Sequence, residues 1–131
     1  MEDDRETILV VDDESVVLSL IQAMLAHQGY KVVTASGGHE ALLLLENWPD
    51  LELDLVLIDV VMPDMGGIET IQHLRRLRRD LRVLLMSGYA DHRGDWPEDA
   101  RTLPLISKPF TAASLARKIR ETLGSGQSAH A

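Results

Sequence analysis

Two short apolar runs in this chain each stop on an aspartate, and that repetition limits what the chain can fold into. Leu55-Val56-Leu57-Ile58 ends at Asp59, and Thr7-Ile8-Leu9-Val10-Val11 ends at Asp12, followed by Asp13 and Glu14. Unbroken runs of mostly branched residues read as strands buried on both faces, and such strands belong to parallel sheets covered by helices. The Met62-Pro63-Asp64-Met65-Gly66-Gly67 after Asp59 and its two valines is a turn that cannot continue the strand, so the carboxylate stands at the strand's carboxyl edge. Taken alone, such an aspartate is more often the cap of the next turn. That edge is nevertheless where open α/β sheets bind ligands, and the rest of the chain supplies further groups to it.

Ser15 opens a periodic segment (Val16, Val17, Leu20, Ile21, Met24, Leu25) closed by Gly29, a helix with signals at both ends. Lys31-Val32-Val33-Thr34-Ala35 reads as the second strand, and Gly37-Gly38 turns the chain into a leucine-rich helix over about residues 39–47. Leu42 to Leu45 cannot all face one core, so one of them is expected on the surface. Ile68, Ile71, Leu74 and Leu77 mark the face of a third helix, with Arg75, Arg76, Arg78 and Arg79 read as its solvated end, where cations complement the helix dipole. Arg82–Met86, ending at Ser87-Gly88, is the fourth strand, and Leu103–Ser107, ending at Lys108-Pro109, the fifth; Thr111 caps a last helix with face Leu115, Ile119 and Leu123. Strands alternating with helices give a doubly wound α/β fold, a five-stranded parallel sheet of order 2-1-3-4-5 with helices on both faces. The expected division is a flexible start (1–6), one domain (7–123) and a flexible tail (124–131).

The 131 residues include no cysteine, which excludes disulfides and thiolate metal sites, and carry a formal net charge of −8, which disfavours nucleic-acid backbones as partners. No apolar run approaches the roughly 20 residues that span a bilayer, and the acidic amino terminus is unlike a secretion signal. A soluble, cytoplasmic protein that touches neither membrane nor nucleic acid is expected.

The predicted strand order brings Asp12, Asp13, Asp59, Ser87 and Lys108 to one edge. Converging carboxylates repel one another, each pair by about 4 kcal/mol at 4 Å in an effective dielectric near 20, so they call for a cation. Oxygen ligands without sulfur or clustered histidine suit Mg²⁺, which shares its shell with water and phosphate. Asp59, lying centrally, can serve as nucleophile toward a phosphoryl group; Lys108 supplies a point charge and Ser87 a hydroxyl donor for the phosphoryl oxygens.

Val-Asp12-Asp13-Glu14, Leu-Ile-Asp59-Val-Val-Met-Pro-Asp-Met-Gly-Gly, Met-Ser87-Gly and Lys108-Pro109-Phe110, in this order, resemble the receiver domain of bacterial two-component response regulators over about residues 7–123. In wording the chain is most similar to receivers of hybrid sensor histidine kinases. The resemblance implies that Asp59 accepts phosphate from a phosphohistidine on a sensor histidine kinase or histidine phosphotransfer protein. It implies that Asp12, Asp13, Asp59 and the backbone carbonyl of Val61 serve Mg²⁺, that the Lys108-Pro109 bond is cis, and that the domain is a monomer or weak dimer. It implies a phosphoacceptor rather than an enzyme, with at most self-catalysed phosphotransfer and slow autodephosphorylation. Val61 and Tyr89, two residues after Asp59 and Ser87, flank the path of the attacking water in the family and are here bulky and without acid or amide, so slow hydrolysis is expected. The family's aromatic switch residue, three before the lysine, is Leu105 here. Residues 91–100 carry Gly94 and Pro97 where the fourth helix should run, which predicts a loop and then a short, late helix with Pro97 in its first turn. Order changes in residues 89–101, rather than a ring flip, are then expected to carry the signal.

Three other functions fit these residues less well. A phosphatase of the haloacid-dehalogenase kind needs an acid two residues after its nucleophile, where Val61 stands. A flavodoxin-type nucleotide binder cradles phosphate with hydroxyls and N–H groups, which Asp12-Asp13-Glu14 would oppose. A receiver scaffold that only binds partners would not need Asp13, Asp59, Ser87 and Lys108 together.

Overall fold

The computed structural model describes residues 4–88 and 90–124, and the side chains of residues 90–92 are outside that description. Its elements in chain order are β1 (Thr7–Val11), α1 (Ser15–His27), β2 (Lys31–Ala35), α2 (Gly38–Asn47), β3 (Leu55–Asp59), α3 (Gly67–Leu77) and β4 (Val83–Ser87). A 3-10 helix (Ala90–Asp95), α4 (Glu98–Arg101), β5 (Leu105–Ser107) and α5 (Ala112–Leu123) complete them. All strands pair in parallel in the order β2-β1-β3-β4-β5, as the alternation of elements requires.

Strand side chains alternate between two cores. Leu9, Val11, Val56, Ile58, Val83 and Leu85 meet α2 and α3 through Ala41, Leu45, Ile71 and Leu74. Ile8, Val10, Leu55, Leu57, Leu84 and Met86 meet α1 and α5 through Ile21, Leu25, Leu115 and Ile119. Both faces of β1, β3 and β4 are therefore dry, and their polar residues gather at the ends. Val11 pairs with Ile58, Asp59 with Met86 and Ser87 with Ser107, so adjacent strands end level with one another at the carboxyl edge.

Gly29 closes α1 at φ 97°, and Thr111 caps α5 in a reciprocal box with Ser114, both as expected. Leu43 is the exposed leucine of α2. Several details depart from expectation. Glu14, not Ser15, is the N-cap of α1, without a side-chain bond. Leu77 is 44% exposed because α3 ends there, with Arg78 already extended. Two of the arginines around it, Arg75 and Arg78, are not merely solvated. Arg75 donates from Nε and a terminal nitrogen to the Leu81 carbonyl (3.1 and 2.9 Å), and Arg78 to the carbonyls of Leu51, Trp48 and Pro49 (2.6, 3.2 and 3.2 Å), stitching the loops before β3 and β4. β5 starts at Leu105 rather than Leu103, although the Pro104 carbonyl already accepts from Leu85 N at 3.0 Å. The expected loop before α4 is a 3-10 helix, and Pro97 is the N-cap of α4, one place ahead of its first turn. Proline stops the 3-10 helix from running on as α, because it fixes the backbone of its own residue and disfavours helix in the one before.

Candidate functional site

The carboxyl edge gathers the polar ends of β1, β3, β4 and β5. Asp12, one residue past β1, is fully buried; Glu14 N donates to its Oδ1 at 3.0 Å. Asp13 points into solvent, and Asp59, the last residue of β3, is 7% exposed. Carboxylate oxygens of Asp12, Asp13 and Asp59 lie within 4.8 Å of one another. Lys108 Nζ stands 3.1 Å from Asp12 Oδ2 and 3.3 Å from Asp59 Oδ2. Its backbone N donates to the Ser87 carbonyl at 3.0 Å, and its bond to Pro109 is cis, as expected. Ser87 ends β4 with 1% exposure. All five residues singled out at this edge by the sequence are thus brought together.

Burial pushes the Asp59 carboxyl above its ordinary value, with Asp12 adding to the rise and Lys108 opposing it. Burial would lower Lys108, but its hydrogen bond to Asp12 and the charges of both acids carry it above the ordinary lysine value. Three carboxylates against one ammonium leave two negative charges over, all on oxygen and at the rim of an open cleft of about 540 Å³ walled by Asp13, Glu14, Asp59, Val61 and Lys108. A hard dication that retains waters fits this donor set. Val61 is 60% exposed at the rim, its N–H reaching Asp59 Oδ1 at 3.4 Å; Tyr89, expected beside it, lies outside the described residues.

Reading the glycines only as turn formers misses what they do around the site. A Cβ on Gly67 would collide with the Asp59 carbonyl and come 2.9 Å from Val60 Cα, and one on Gly38 would collide with Thr70 Oγ1. These positions let α3 and α2 close directly onto the loop after β3. Asp64, noted in the sequence only as part of the turn, accepts hydrogen bonds from His39 N (3.0 Å) and Gly38 N (3.4 Å) at the start of α2. The spacing of 25 and 26 residues hides such a cap from local pattern reading.

A sequence model described as the response regulator receiver domain matches residues 8–120. The chain is 36% identical over 119 residues to the sensor kinase CckA of Brucella abortus, covering 89% of this chain and 12% of that protein. It spans between 12% and 50% of the length of the first curated relatives it matches. Among solved structures, a CheY-like response regulator receiver domain protein from Methanospirillum hungatei superposes with TM-score 0.81 at 30% identity, covering 92% of this chain and 94% of that one. The response regulator TrrA from Thermotoga maritima, in complex with Mg²⁺ and BeF, superposes with TM-score 0.76 at 30% identity, covering 89% and 98%.

Proposed function

This chain belongs to the response regulator receiver domain family of two-component signalling, and from that premise we propose that Asp59 takes a phosphoryl group from a phosphohistidine of a sensor histidine kinase or histidine phosphotransfer protein. The observation that carries the reading is Lys108 bridging two members of a three-carboxylate cluster at the sheet edge. A carboxylate oxygen of Asp59 forms the new bond to phosphorus while the phosphorus–nitrogen bond to the partner's imidazole breaks, leaving an aspartyl phosphate. Asp12, Asp13, Asp59 and the Val61 carbonyl would hold Mg²⁺, which when bound offsets charge on the transferring group. Lys108 gives up part of its pairing with Asp59 to meet the phosphoryl oxygens, and the Ser87 hydroxyl donates to another of them.

The partner would approach over α1. Val16 and Leu20 are 79% and 55% exposed, one turn apart, and Leu20 borders an apolar cleft of about 400 Å³ formed with Met24, Pro109 and Phe110 beside the site. The domain would comprise residues 7–123, act in the cytoplasm as a monomer or weak dimer without touching nucleic acid, and serve as a signalling module rather than an enzyme. Among the described residues no helix is long and apolar enough to cross a membrane. Exposure to Mg²⁺ and acetyl phosphate, followed by intact-mass measurement, tests the reading. A gain of about 80 Da that needs both Mg²⁺ and the Asp59 carboxylate is expected. Equal phosphorylation of Asp59→Asn would refute it.

A further inference from the structure

The loop that leaves the sheet after Asp59 is held at its base and at its tip by different elements. At the base, Val60 N donates to the Met86 carbonyl (3.0 Å) and Gly67 N returns to the Val60 carbonyl (2.8 Å), so residues 61–66 form a closed excursion. Met62 and Met65 are buried. At the tip, the Asp64 carboxylate reaches the first N–H groups of α2, taking His39 N on Oδ2 and Gly38 N on Oδ1. The N-cap of that helix is Gly37, which has no side chain to offer. The cap that residue 37 normally supplies thus comes from another element.

Space is kept for it. A Cβ on Gly37 would lie 2.9 Å from Asp64 Oδ2 and 3.1 Å from Cγ. The backbone of Gly37 is extended, with φ 172°, so its lack of a side chain answers to contact with Asp64 and not to conformation. The bond to His39 N, with those to other backbone N–H groups, holds the Asp64 carboxyl below its ordinary value, consistent with an ionised cap at neutral pH.

We infer that Asp64 is a positioning residue for the phosphoacceptor site: by capping α2 across the chain it fixes the loop that carries Val61. Val61 directly follows the base residue Val60 and stands three residues before this anchor, on the span held between the two, and its carbonyl is the ligand proposed above, so the inference rests on that reading. Side chains that orient a metal's direct ligands commonly change its affinity by 10- to 100-fold when removed.

Three single variants and one double variant test this: Asp64→Ala removes the cap, Gly37→Ala displaces it without touching Asp64, and Asp64→Asn keeps an acceptor while removing the charge. Mg²⁺ affinity is measured by calorimetry, and amide exchange of residues 60–67 is measured on the metal-free protein. Asp64→Ala and Gly37→Ala are each expected to weaken Mg²⁺ binding about tenfold and to speed exchange in the loop. Asp64→Asn should stay within about threefold of the parent, since Asn caps helices as well as Asp. The Asp64→Ala/Gly37→Ala double variant should be no worse than Asp64→Ala, because both remove one contact. Parental affinity and loop exchange in both alanine variants, with only a lowered Tm, would make Asp64 a plain helix cap and overturn the inference. Equal weakening by Asp64→Asn would assign the effect to charge and overturn it too. A parent that binds no Mg²⁺ would refute the underlying reading instead, and unchanged loop exchange in Asp64→Ala would still reject the positioning role.

Discussion

Lys108 reaches across the sheet edge to Asp59, its Nζ 3.3 Å from Oδ2, while holding the fully buried Asp12 at 3.1 Å. One ammonium therefore faces two carboxylates, of which Asp59 is driven toward protonation by its burial. Removing it leaves Asp12 uncompensated. Lys108→Ala is expected to destabilise the metal-free protein by about 2 kcal/mol, below the 3–5 kcal/mol of a fully buried pair because Lys108 keeps some contact with water. Adding Asp59→Asn should recover part of that loss. Urea unfolding of the single and double variants checks this, and a Lys108→Ala protein as stable as the parent would mean that the pairs contribute nothing.

The raised Asp59 carboxyl fixes the sign of a pH effect. Folded protein keeps a proton on Asp59 at pH values where the unfolded chain, near 3.8, has released it. The folded state then binds more protons, so this group's contribution to stability falls as pH rises from the unfolded value through the raised folded one. Metal-free Asp59→Asn should lack that decline and have a higher Tm than the parent at pH 7. Tm measured against pH in the presence of a chelator checks it; parallel curves for parent and variant would remove Asp59 as the source.

Asp13 is the exposed member of the carboxylate cluster and has little role in the core. Asp13→Ala should weaken Mg²⁺ binding while leaving the metal-free fold intact, since it relieves repulsion among like charges. The Tm gain on adding Mg²⁺ should shrink from parent to variant, because a ligand stabilises in proportion to its occupancy of the folded state. An Asp13→Ala protein that unfolds earlier without metal would mark the acid as structural.

The fold and the reactive edge were legible in the sequence for one physical reason. Strands buried on both faces leave a polar residue only where they end, so Asp12, Asp59 and Ser87 stood out against apolar runs, and parallel order did the rest. What was not legible depends on partners far along the chain. Arg78 looks like a solvated helix end until the carbonyls of residues 48–51 close on it, and Asp64 looks like a turn residue until α2 arrives. The exposure of Leu77 was missed because helical periodicity does not say where a helix stops.

On the proposed function, phosphoryl lifetime is expected to depend on the rim of the cleft. Val61 is aliphatic and 60% exposed there, able to obstruct an attacking water but not to orient one. Val61→Asn should shorten the phosphorylated lifetime several-fold, below the roughly 10²–10⁴ that a fully positioned general base typically contributes. Adding Tyr89→Glu, at the paired position, should shorten it further. Decay followed by intact mass after removal of the phosphodonor checks this, and an unchanged or longer lifetime in the double variant would count against it.

Readout of phosphorylation is expected in the segment between β4 and β5. Leu105 opens β5 half-buried at the place where the family commonly carries a Tyr or Phe, and it has neither ring nor hydroxyl to move between a buried and a wet position. Beside it, the chain from Ala90 to Arg101 is a 3-10 helix and a single α turn separated by Trp96 and Pro97. So short a helix has little stability of its own. Tethers from side chains hold it: Arg93 donates to the Leu103 carbonyl at 2.5 Å and lies 5.8 Å from the Trp96 ring centroid, and Arg101 Nε donates to the Trp96 carbonyl at 2.8 Å. Such a segment can change its order at small cost when Ser87, at the end of the preceding strand, turns toward a phosphoryl group. Amide exchange with and without beryllofluoride should therefore differ across residues 90–101, and Arg93→Ala should raise exchange there in the unmodified protein. A segment equally well protected in both states would mean that this receiver signals elsewhere.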